Sequence, residues 1–238
     1  MGRTINVFFR YQDATRESLE GYGAVAVIDT LRATTTMAAL LDRGAIAIRP
    51  VADLEDAYVL KARDPALLLG GERHNQPPEG FDGGNSPDDW PRDRVVGRRV
   101  VFTTTNGTQA IDAVRGISRL VLGALINAEA VSRYLWSLER PTLLVASGSR
   151  GRVSLEDVLA CGAIAQYWPR ELRTDAADIA CRAFLQSQHQ LYETLAASEH
   201  GRVLSELGWA GDVQFAAQLD HTRVVPVLCT DGWIRAVE

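Results

Sequence analysis

The sequence predicts an α/β fold, with a mixed, mostly parallel sheet, helices on both faces and a C-terminal hairpin. Strand and helix patterns alternate over the first two-thirds of the chain. The strands are continuous apolar runs, such as Ala24–Ile28 and Leu143–Ala146, as is typical of parallel strands buried on both faces. Near the end, Val224–Thr230 and Trp233–Val237 flank an Asp231–Gly232 turn, which indicates an antiparallel hairpin.

Each further element follows from the spacing of its apolar residues. The predicted strands are Ile5–Phe9, Ala24–Asp29, Ala45–Arg49, Ala66–Gly70, Arg99–Thr103, Leu120–Gly123 and Thr142–Ala146. The predicted helices are Thr35–Arg43, Asp53–Arg63 with Asp53 as its N-cap, Asn106–Arg115, Asn127–Leu138, Ser154–Trp168 and the long helical region Asp175–Ala197. No internal repeat or linker interrupts the series, so we expect one domain over residues 1–238.

A long loop is predicted between His74 and Arg94, because the segment holds four of the nine prolines and has almost no apolar periodicity. A loop of this length inside a compact domain is usually functional or disordered. Phe81 stands among glycines and polar residues, and a solvated loop has no use for a phenyl ring. We therefore expect the 74–94 loop to fold over a site with Phe81 buried beneath it; a packed surface loop is the alternative.

Composition limits the function. The chain has 238 residues, 46% of them apolar and 23% charged, and a net charge of −5, which favours neither a nucleic-acid nor an acidic-membrane partner. No apolar run approaches the ~20 residues of a membrane span, and Met1–Arg10 lacks a signal-peptide pattern. Cys161 and Cys181 fall inside helical patterns and have no metal or disulfide spacing, so we expect buried thiols and a cytoplasmic location.

Three apolar strands run straight into polar turns, each of which opens a helix. These segments are Ala24–Thr36, Arg99–Thr108 and Leu143–Asp157. Ligands of α/β sheets bind outside the carboxyl ends of the strands. Hydroxyls, backbone N–H groups and carboxylates at three such ends describe an anion site with a metal.

The first turn places Asp29 directly after a strand, with Arg32 three residues later. The carboxylate suits a cation and the guanidinium suits an oxyanion; the alternative is a helix cap beside a surface ion pair. The second turn, Thr103–Thr108, gathers hydroxyls at a helix N-terminus, where Gly107 permits close backbone approach. Its alternative is a Thr- or Asn-capped helix.

The third turn leads into Ser154, Glu156 and Asp157. Ser154 fits an N-cap and Asp157 a variant of the capping box, whereas Glu156 is not needed for capping and is the freer candidate for chemistry. The chain holds no P-loop. The four histidines are scattered, and we expect His189 and His200 at the surface.

Five segments in this order resemble the ComB family of 2-phosphosulfolactate phosphatases: VIDTLRATTT, GER, GFDGGNSP, TTTNGT and GSRGRVSLEDVLACGA. The resemblance covers about residues 5–230. It implies a three-layer α/β/α fold and a magnesium-dependent acid phosphatase that converts 2-phospho-3-sulfolactate into 3-sulfolactate, on the route to coenzyme M in methanogens. The chain departs at Gly83, where the family pattern GFDLGNSP has an apolar residue, and at residues 74–79. Both departures bear on the substrate more than on the reaction class.

The site residues are assigned on these segments. The residues expected to be catalytic are Asp29, Arg32, Glu156 and Asp157. Those expected to bind substrate are Thr34, Thr35, Arg73, Asn85, Ser86, Thr104, Thr105, Asn106, Gly107, Ser147, Ser149 and Arg152. The carboxylates expected at Mg²⁺, which prefers oxygen ligands, are Asp29, Glu72, Asp82 and Glu156. Whether Asp29 binds the metal or becomes phosphorylated stays open.

The expected partner is a small anionic phosphorylated substrate, and assembly into a homodimer stays open. Three alternatives remain on the same scaffold: a phosphatase for another small anionic phosphoester, a non-catalytic binder of a small organic anion, and an assembly module whose polar turns only cap helices. Low metal affinity and no turnover of any phosphomonoester would favour the non-catalytic binder.

Overall fold

The structure is a computed structural model that describes residues 2–237. Nine strands form one sheet of order β1-β7-β2-β6-β8-β9-β3-β5-β4 in this part of the chain. The strands are β1 (Ile5–Phe8), β2 (Ala24–Ile28), β3 (Ala47–Pro50), β4 (Leu68–Gly71), β5 (Arg99–Thr103), β6 (Leu120–Gly123), β7 (Thr142–Ala146), β8 (Val225–Leu228) and β9 (Ile234–Val237). The predicted mixed, mostly parallel sheet and its terminal hairpin are confirmed.

The helices cover both faces of this sheet. They are α1 (Ala33–Asp42), α2 (Leu54–Arg63), α3 (Arg92–Val95), α4 (Gly107–Ala113), α5 (Ala128–Ser137), α6 (Leu155–Ala165), α7 (Asp175–Ser187), α8 (Leu191–Ala197), α9 (Glu199–Glu206) and α10 (Ala210–Ala216). Strand β2 shows the layering: Val25 and Val27 pack in the core that contains α1 and α4. Ala24, Ala26 and Ile28 point into the core of α6 and α7.

The sheet consists of two parallel blocks, β1-β7-β2-β6 and β3-β5-β4, joined through the hairpin β8–β9. The three contacts β6–β8, β8–β9 and β9–β3 are antiparallel, so the two blocks run in opposite senses within the sheet. A typical twist of about 20–25° per strand would accumulate to about 100–125° over the five steps from β2 to β5. Residues that follow β2 and β5 line one cavity, so the carboxyl ends of the two blocks meet.

Strand register fixes which residues share the site. Ile28 pairs with Ala146, so Asp29 and Ser147 leave the sheet side by side. In the other block, Gly71 pairs with Thr103, so Glu72 lies next to Thr104. Backbone pairing therefore aligns Asp29 with Ser147 in one block and Glu72 with Thr104 in the other.

The 74–94 loop differs from its prediction. Phe81 is only half-buried and packs edge-on against Tyr58 of α2, with ring centroids 5.8 Å apart. The fully buried aromatic residue of this loop is Trp90, whose Nε1–H donates to the carbonyl of Gly84 at 3.0 Å. A Cβ on Gly83 would lie 2.7 Å from the Trp90 ring, so the indole fills the space that a side chain at position 83 would need.

The helical prediction near the end of the chain is also corrected. The region predicted as one stretch, Asp175–Ala197, is two helices, α7 and α8, and α9 and α10 were not predicted. Cys161 and Cys181 are buried, as expected, and burial raises the pKa of both thiols. Among the described residues, no helix is long and apolar enough to cross a membrane.

Candidate active site

A cavity of about 450 Å³ opens where the two blocks of the sheet face each other. Three buried carboxylate residues, Asp29, Glu72 and Glu156, line it from the turns after β2 and β4 and from the first turn of α6. Its remaining polar lining consists of the exposed Glu199 and of basic and neutral residues: Arg32, Arg150, Arg152, His74, His200, Asn75, Asn85, Thr104, Thr105, Asn106, Ser149, Ser154 and Ser198. The predicted meeting of the polar turns at one place is confirmed.

Asp29 lies at the buried end of this cavity and is 6% exposed. Its Oδ1 accepts a hydrogen bond from the N–H of Ala33 at 3.1 Å, in the first turn of α1. Its backbone N–H donates to Thr34 Oγ1 at 2.9 Å, and the Thr34 hydroxyl reaches the carbonyls of Asp29 and Gly123. The turn after β2 is thereby fixed from both sides, and the carboxylate with it.

The Asp29 carboxylate has other carboxylates as its charged neighbours. The pKa of Asp29 is raised from 3.8 to about 6. Burial is the largest cause and the negative charges of Glu72 and Glu156 add to it, while the hydrogen bonds from Ala33 and Ser147 oppose it. The adjacent Arg32 does not neutralise Asp29, because its guanidinium is paired with Asp212 at 2.6 Å. This end of the cavity therefore concentrates negative charge, which favours a cation.

Glu72 accepts hydrogen bonds from two separate segments that line the cavity. Its Oε1 accepts from the N–H of Thr105 at 2.7 Å and its Oε2 from the N–H of Asn75 at 2.9 Å. The first contact holds the turn after β5, and the second holds the start of the 74–94 loop. Glu72 is 7% exposed. It therefore both lines the cavity and holds two neighbouring segments in place.

The turn after β5 approaches Asp29 closely because of Gly107. A Cβ on Gly107 would lie 2.8 Å from Asp29 Oδ2 and 2.6 Å from the Cβ of Ala33. The turn is closed by Thr104 and Thr108, whose hydroxyls exchange hydrogen bonds with each other's backbone. The side chains of Thr105 and Asn106 make no hydrogen bond within residues 2–237, and both residues line the cavity.

Asp157 does not cap its own helix, so the capping interpretation is wrong. Its Oδ1 accepts from the N–H of Thr30 at 2.8 Å, and its Oδ2 accepts from the N–H of Gly148 at 3.0 Å and from Ser147 Oγ at 3.3 Å. Burial, followed by the charge of Asp29, raises the pKa of Asp157 well above its ordinary value. Asp157 thus connects the turns after β2 and β7 by hydrogen bonds and does not itself line the cavity.

Glu156 and His200 bring α6 and α9 to the site. Glu156 is 2% exposed and accepts from Ser154 Oγ at 2.7 Å. His200, expected at the surface, is half-buried and lines the cavity. Burial lowers its pKa, and the charges of Arg32 and Arg150 lower it further against the opposing charges of Glu156 and Glu72. His189 is exposed, as expected.

Several predicted substrate residues support the site from behind. Thr35 Oγ1 donates to the carbonyl of Thr30 at 2.7 Å, so it stabilises the turn after β2. Arg73 points away from the cavity and donates to Ala52 O and Thr103 Oγ1. Ser86 Oγ donates to Asp212.

Asp82 also lies apart from Asp29, Glu72 and Glu156, since it is not among the residues that line the cavity. Its Oδ2 accepts from the N–H of Leu69 at 2.8 Å and from Lys61 Nζ at 3.4 Å. By contrast, Ser149 and Arg152 line the cavity, and Arg152 is paired with Glu199 at its rim.

The cavity offers oxygen donors to a metal ion. Within residues 2–237, no three His, Cys, Asp or Glu side chains are grouped so that they could hold a metal ion. Mg²⁺ needs fewer protein ligands, since one or two carboxylates and several waters suffice. Asp29 and Glu156 line the same cavity, and the Oδ1 of Asn85 is buried without a hydrogen-bond partner in the described residues. These oxygen donors fit a hydrated Mg²⁺ better than Zn²⁺, which prefers nitrogen and sulfur.

Comparison with known proteins shows similarity to a family of phosphatases. Residues 9–231 match the family model described as 2-phosphosulpholactate phosphatase. The chain is 40% identical over 208 residues to a protein of Thermotoga petrophila, covering 87% of this chain and 90% of that one. It is 36% identical over 210 residues to one of Caldanaerobacter subterraneus subsp. tengcongensis, with coverage of 86% and 87%. Both relatives are named "Probable 2-phosphosulfolactate phosphatase".

Proposed function

The chain belongs to the 2-phosphosulpholactate phosphatase family, and on that premise we propose that it hydrolyses 2-phospho-3-sulfolactate to 3-sulfolactate and phosphate, with Mg²⁺ as cofactor. The observation that carries the proposal is the buried Asp29, with Glu72 and Glu156 as charged neighbours and its neighbouring arginine paired elsewhere. Such a cluster is costly to keep ionised unless a cation joins it.

The cavity also suits the charge of the substrate. 2-Phospho-3-sulfolactate carries a phosphate, a carboxylate and a sulfonate. Arg32, Arg150 and Arg152 line the cavity beside the acidic cluster, and guanidinium groups match all three anions with paired N–H donors. Thr105 and Asn106 add uncharged donors to the lining. One region thus accepts a cation while its surroundings accept several oxyanions.

Asp29 and Glu156 would hold the Mg²⁺, with the Asn85 amide oxygen as a further donor. When bound, such an ion neutralises charge on phosphoryl oxygens and lowers the pKa of bound water. The protein's own residues orient the substrate: Arg32 through its N–H groups, and Thr105 and Asn106 from the turn that Glu72 holds in place. Val153 and Leu155, both exposed, form an apolar part of the cavity lining.

Asp29 is assigned here to the cation and not to phosphoryl transfer. Acid quenching during a single turnover distinguishes the two roles. With Asp29 as nucleophile, the phosphoryl group passes from the substrate oxygen to the Asp29 carboxylate, and a peptide containing Asp29 gains about 80 Da in mass spectrometry. With water as nucleophile, phosphate is released directly and that peptide keeps its mass.

Phosphate release from 2-phospho-3-sulfolactate tests the proposal. Protein treated with EDTA and freed of chelator should be inactive, and Mg²⁺ should restore turnover. Glycerol 2-phosphate, which lacks the sulfonate and the carboxylate, serves as the comparison substrate and should have a lower kcat/KM. Full activity after exhaustive chelation would exclude the metal. Equal kcat/KM for both substrates would favour a general phosphatase, and no release from either would favour a binder of small anions.

A further inference from the structure

A buried hydrogen-bonded chain joins three distant segments behind the cavity wall. Arg32 Nη1, in the turn after β2, donates to Asp212 Oδ2 of α10 at 2.6 Å. Ser86 Oγ, in the 74–94 loop, donates to Asp212 Oδ1 at 2.5 Å. The ring of Trp209 lies 5.1 Å from the guanidinium carbon. Both side chains of the ion pair are 2% exposed.

The guanidinium of Arg32 is held on one side and open on the other. An arginine has five N–H donors, and within residues 2–237 this one makes a single hydrogen bond, to Asp212. None of its nitrogens is among the described buried atoms that lack a partner, and Arg32 lines the cavity. Its unused N–H groups therefore face the cavity, where an oxyanion can meet them.

Stability does not explain this arrangement. Removing two charges from water costs several kcal/mol per ion, and apolar pairs often replace buried ion pairs without loss of stability. Burial raises the pKa of Asp212 even though Arg32 and Ser86 lower it, so the carboxylate is held at some cost. The two contacts on opposite oxygens fix its plane, and that plane fixes the direction of the guanidinium.

We propose that Asp212 is the positioning residue for Arg32: clamped by Ser86, it orients the guanidinium so that the free N–H edge binds an anionic oxygen of the substrate. The idea rests on the proposed function for the identity of that substrate. It gives α10, which no sequence pattern indicated, a role at the site through Asp212 and Trp209. It also makes the 74–94 loop part of substrate recognition without direct contact from Ser86.

A double-mutant cycle in kcat/KM tests this assignment. Asp212→Ala should lower kcat/KM by about 30-fold or more, the effect of truncating one partner of a buried charged pair. Asp212→Asn, which can still accept from Arg32, should stay within about tenfold of the wild type. In an Arg32→Ala background, Asp212→Ala should change kcat/KM by less than about threefold, because the two residues act as one unit. Equal losses in both backgrounds would overturn the proposal.

Two further arms keep the test decisive. If Asp212→Ala does not fold, Ser86→Ala replaces it, with an expected loss of about two- to tenfold that disappears in the Arg32→Ala background. Asp178→Ala, which removes an exposed ion pair on α7, should leave kcat/KM unchanged.

If the wild-type protein does not hydrolyse 2-phospho-3-sulfolactate, the proposed function is wrong but the positioning role is still testable. Calorimetric binding of 3-sulfolactate and of inorganic phosphate is then compared in the same variants. The same coupling between positions 32 and 212 in Kd would support the positioning role. Independent effects, or a wild-type protein that binds neither anion, would overturn it.

Discussion

Asp29 and Asp212 are two buried aspartates that serve one cavity, one directly and one through Arg32. Burial raises the pKa of both carboxyl groups. Asp212 has a guanidinium at 2.6 Å and a serine hydroxyl at 2.5 Å. Asp29 has a backbone N–H at 3.1 Å and two carboxylates that oppose its charge. The charge of Asp212 is neutralised by Arg32, whereas the charge of Asp29 is left for a ligand to neutralise.

This difference explains how one cavity can take both signs of charge. In the Arg32–Asp212 ion pair the two charges balance, and the free N–H groups of Arg32 suit an anion. The carboxylates around Asp29 carry unbalanced negative charge, which suits a cation. Phosphate esters bound with Mg²⁺ present both, because the ion neutralises part of the phosphoryl charge while other oxygens stay free. Substitutions at and around the two aspartates separate their roles, and the largest effect is expected at Asp29.

Asp29→Asn should reduce turnover by about 10³ or more, the scale of removing an essential catalytic group. The variant should remain folded, because an asparagine oxygen can still accept from the N–H of Ala33. Turnover and melting temperature measured on the same preparation test this. Asp53→Asn is the control, since Asp53 is exposed and makes no capping hydrogen bond. A folded Asp29→Asn variant with near-normal turnover would remove Asp29 from the site.

Thr105→Ala and Asn106→Ala should each lower kcat/KM by about tenfold to a hundredfold, the effect of losing one hydrogen bond to a charged group. Their melting temperatures should change little, because neither side chain bonds to the turn. Thr108→Ala offers the contrast: it removes a hydrogen bond to Thr104 O and should act chiefly on stability. Lowered melting temperatures with intact kinetics would show that Thr105 and Asn106 are structural.

The pH dependence of unfolding should also distinguish Asp29. In metal-free protein its folded pKa of about 6 lies above the ordinary aspartate value of 3.8, so ionisation destabilises the native state. This penalty is absent below about pH 4, grows as pH rises, and is complete above about pH 6, at no more than about 3 kcal/mol for two pKa units. Asp29→Asn should therefore be the more stable protein at pH 7.5 and equal to wild type at pH 3.5. Urea unfolding in EDTA at both pH values measures the difference, and equal stabilities at pH 7.5 would contradict the assigned shift.

Local sequence signals predicted the sheet and the convergence of its polar turns. The apolar run before Asp29 is enough to place that residue at a strand end, and the same holds for Ser147 after β7. The alternation of strands and helices predicted the layers. These inferences succeed because each depends on residues within one turn or strand of one another.

The remainder depends on distant partners. Asp157 has the spacing of a cap, but its hydrogen bonds go to Thr30, 127 positions away, and to Gly148. Arg32 finds Asp212 180 positions away, so no local pattern reveals the pair. His200 follows a helical pattern that continues past Ala197, and only the packing of α9 against the site shows that it lines the cavity. Each of these contacts is made by tertiary packing.

The central claim is that Asp29 completes a site for a divalent cation. Thermal unfolding of chelator-freed protein with increasing Mg²⁺ tests it without any substrate. At a Mg²⁺ concentration 100 times Kd, wild type should gain about 2.7 kcal/mol, or about 5–10 °C in melting temperature. Asp29→Asn should show no such shift, while Asp212→Asn should respond like wild type. An equal shift in wild type and Asp29→Asn, or none in wild type, would contradict the claim.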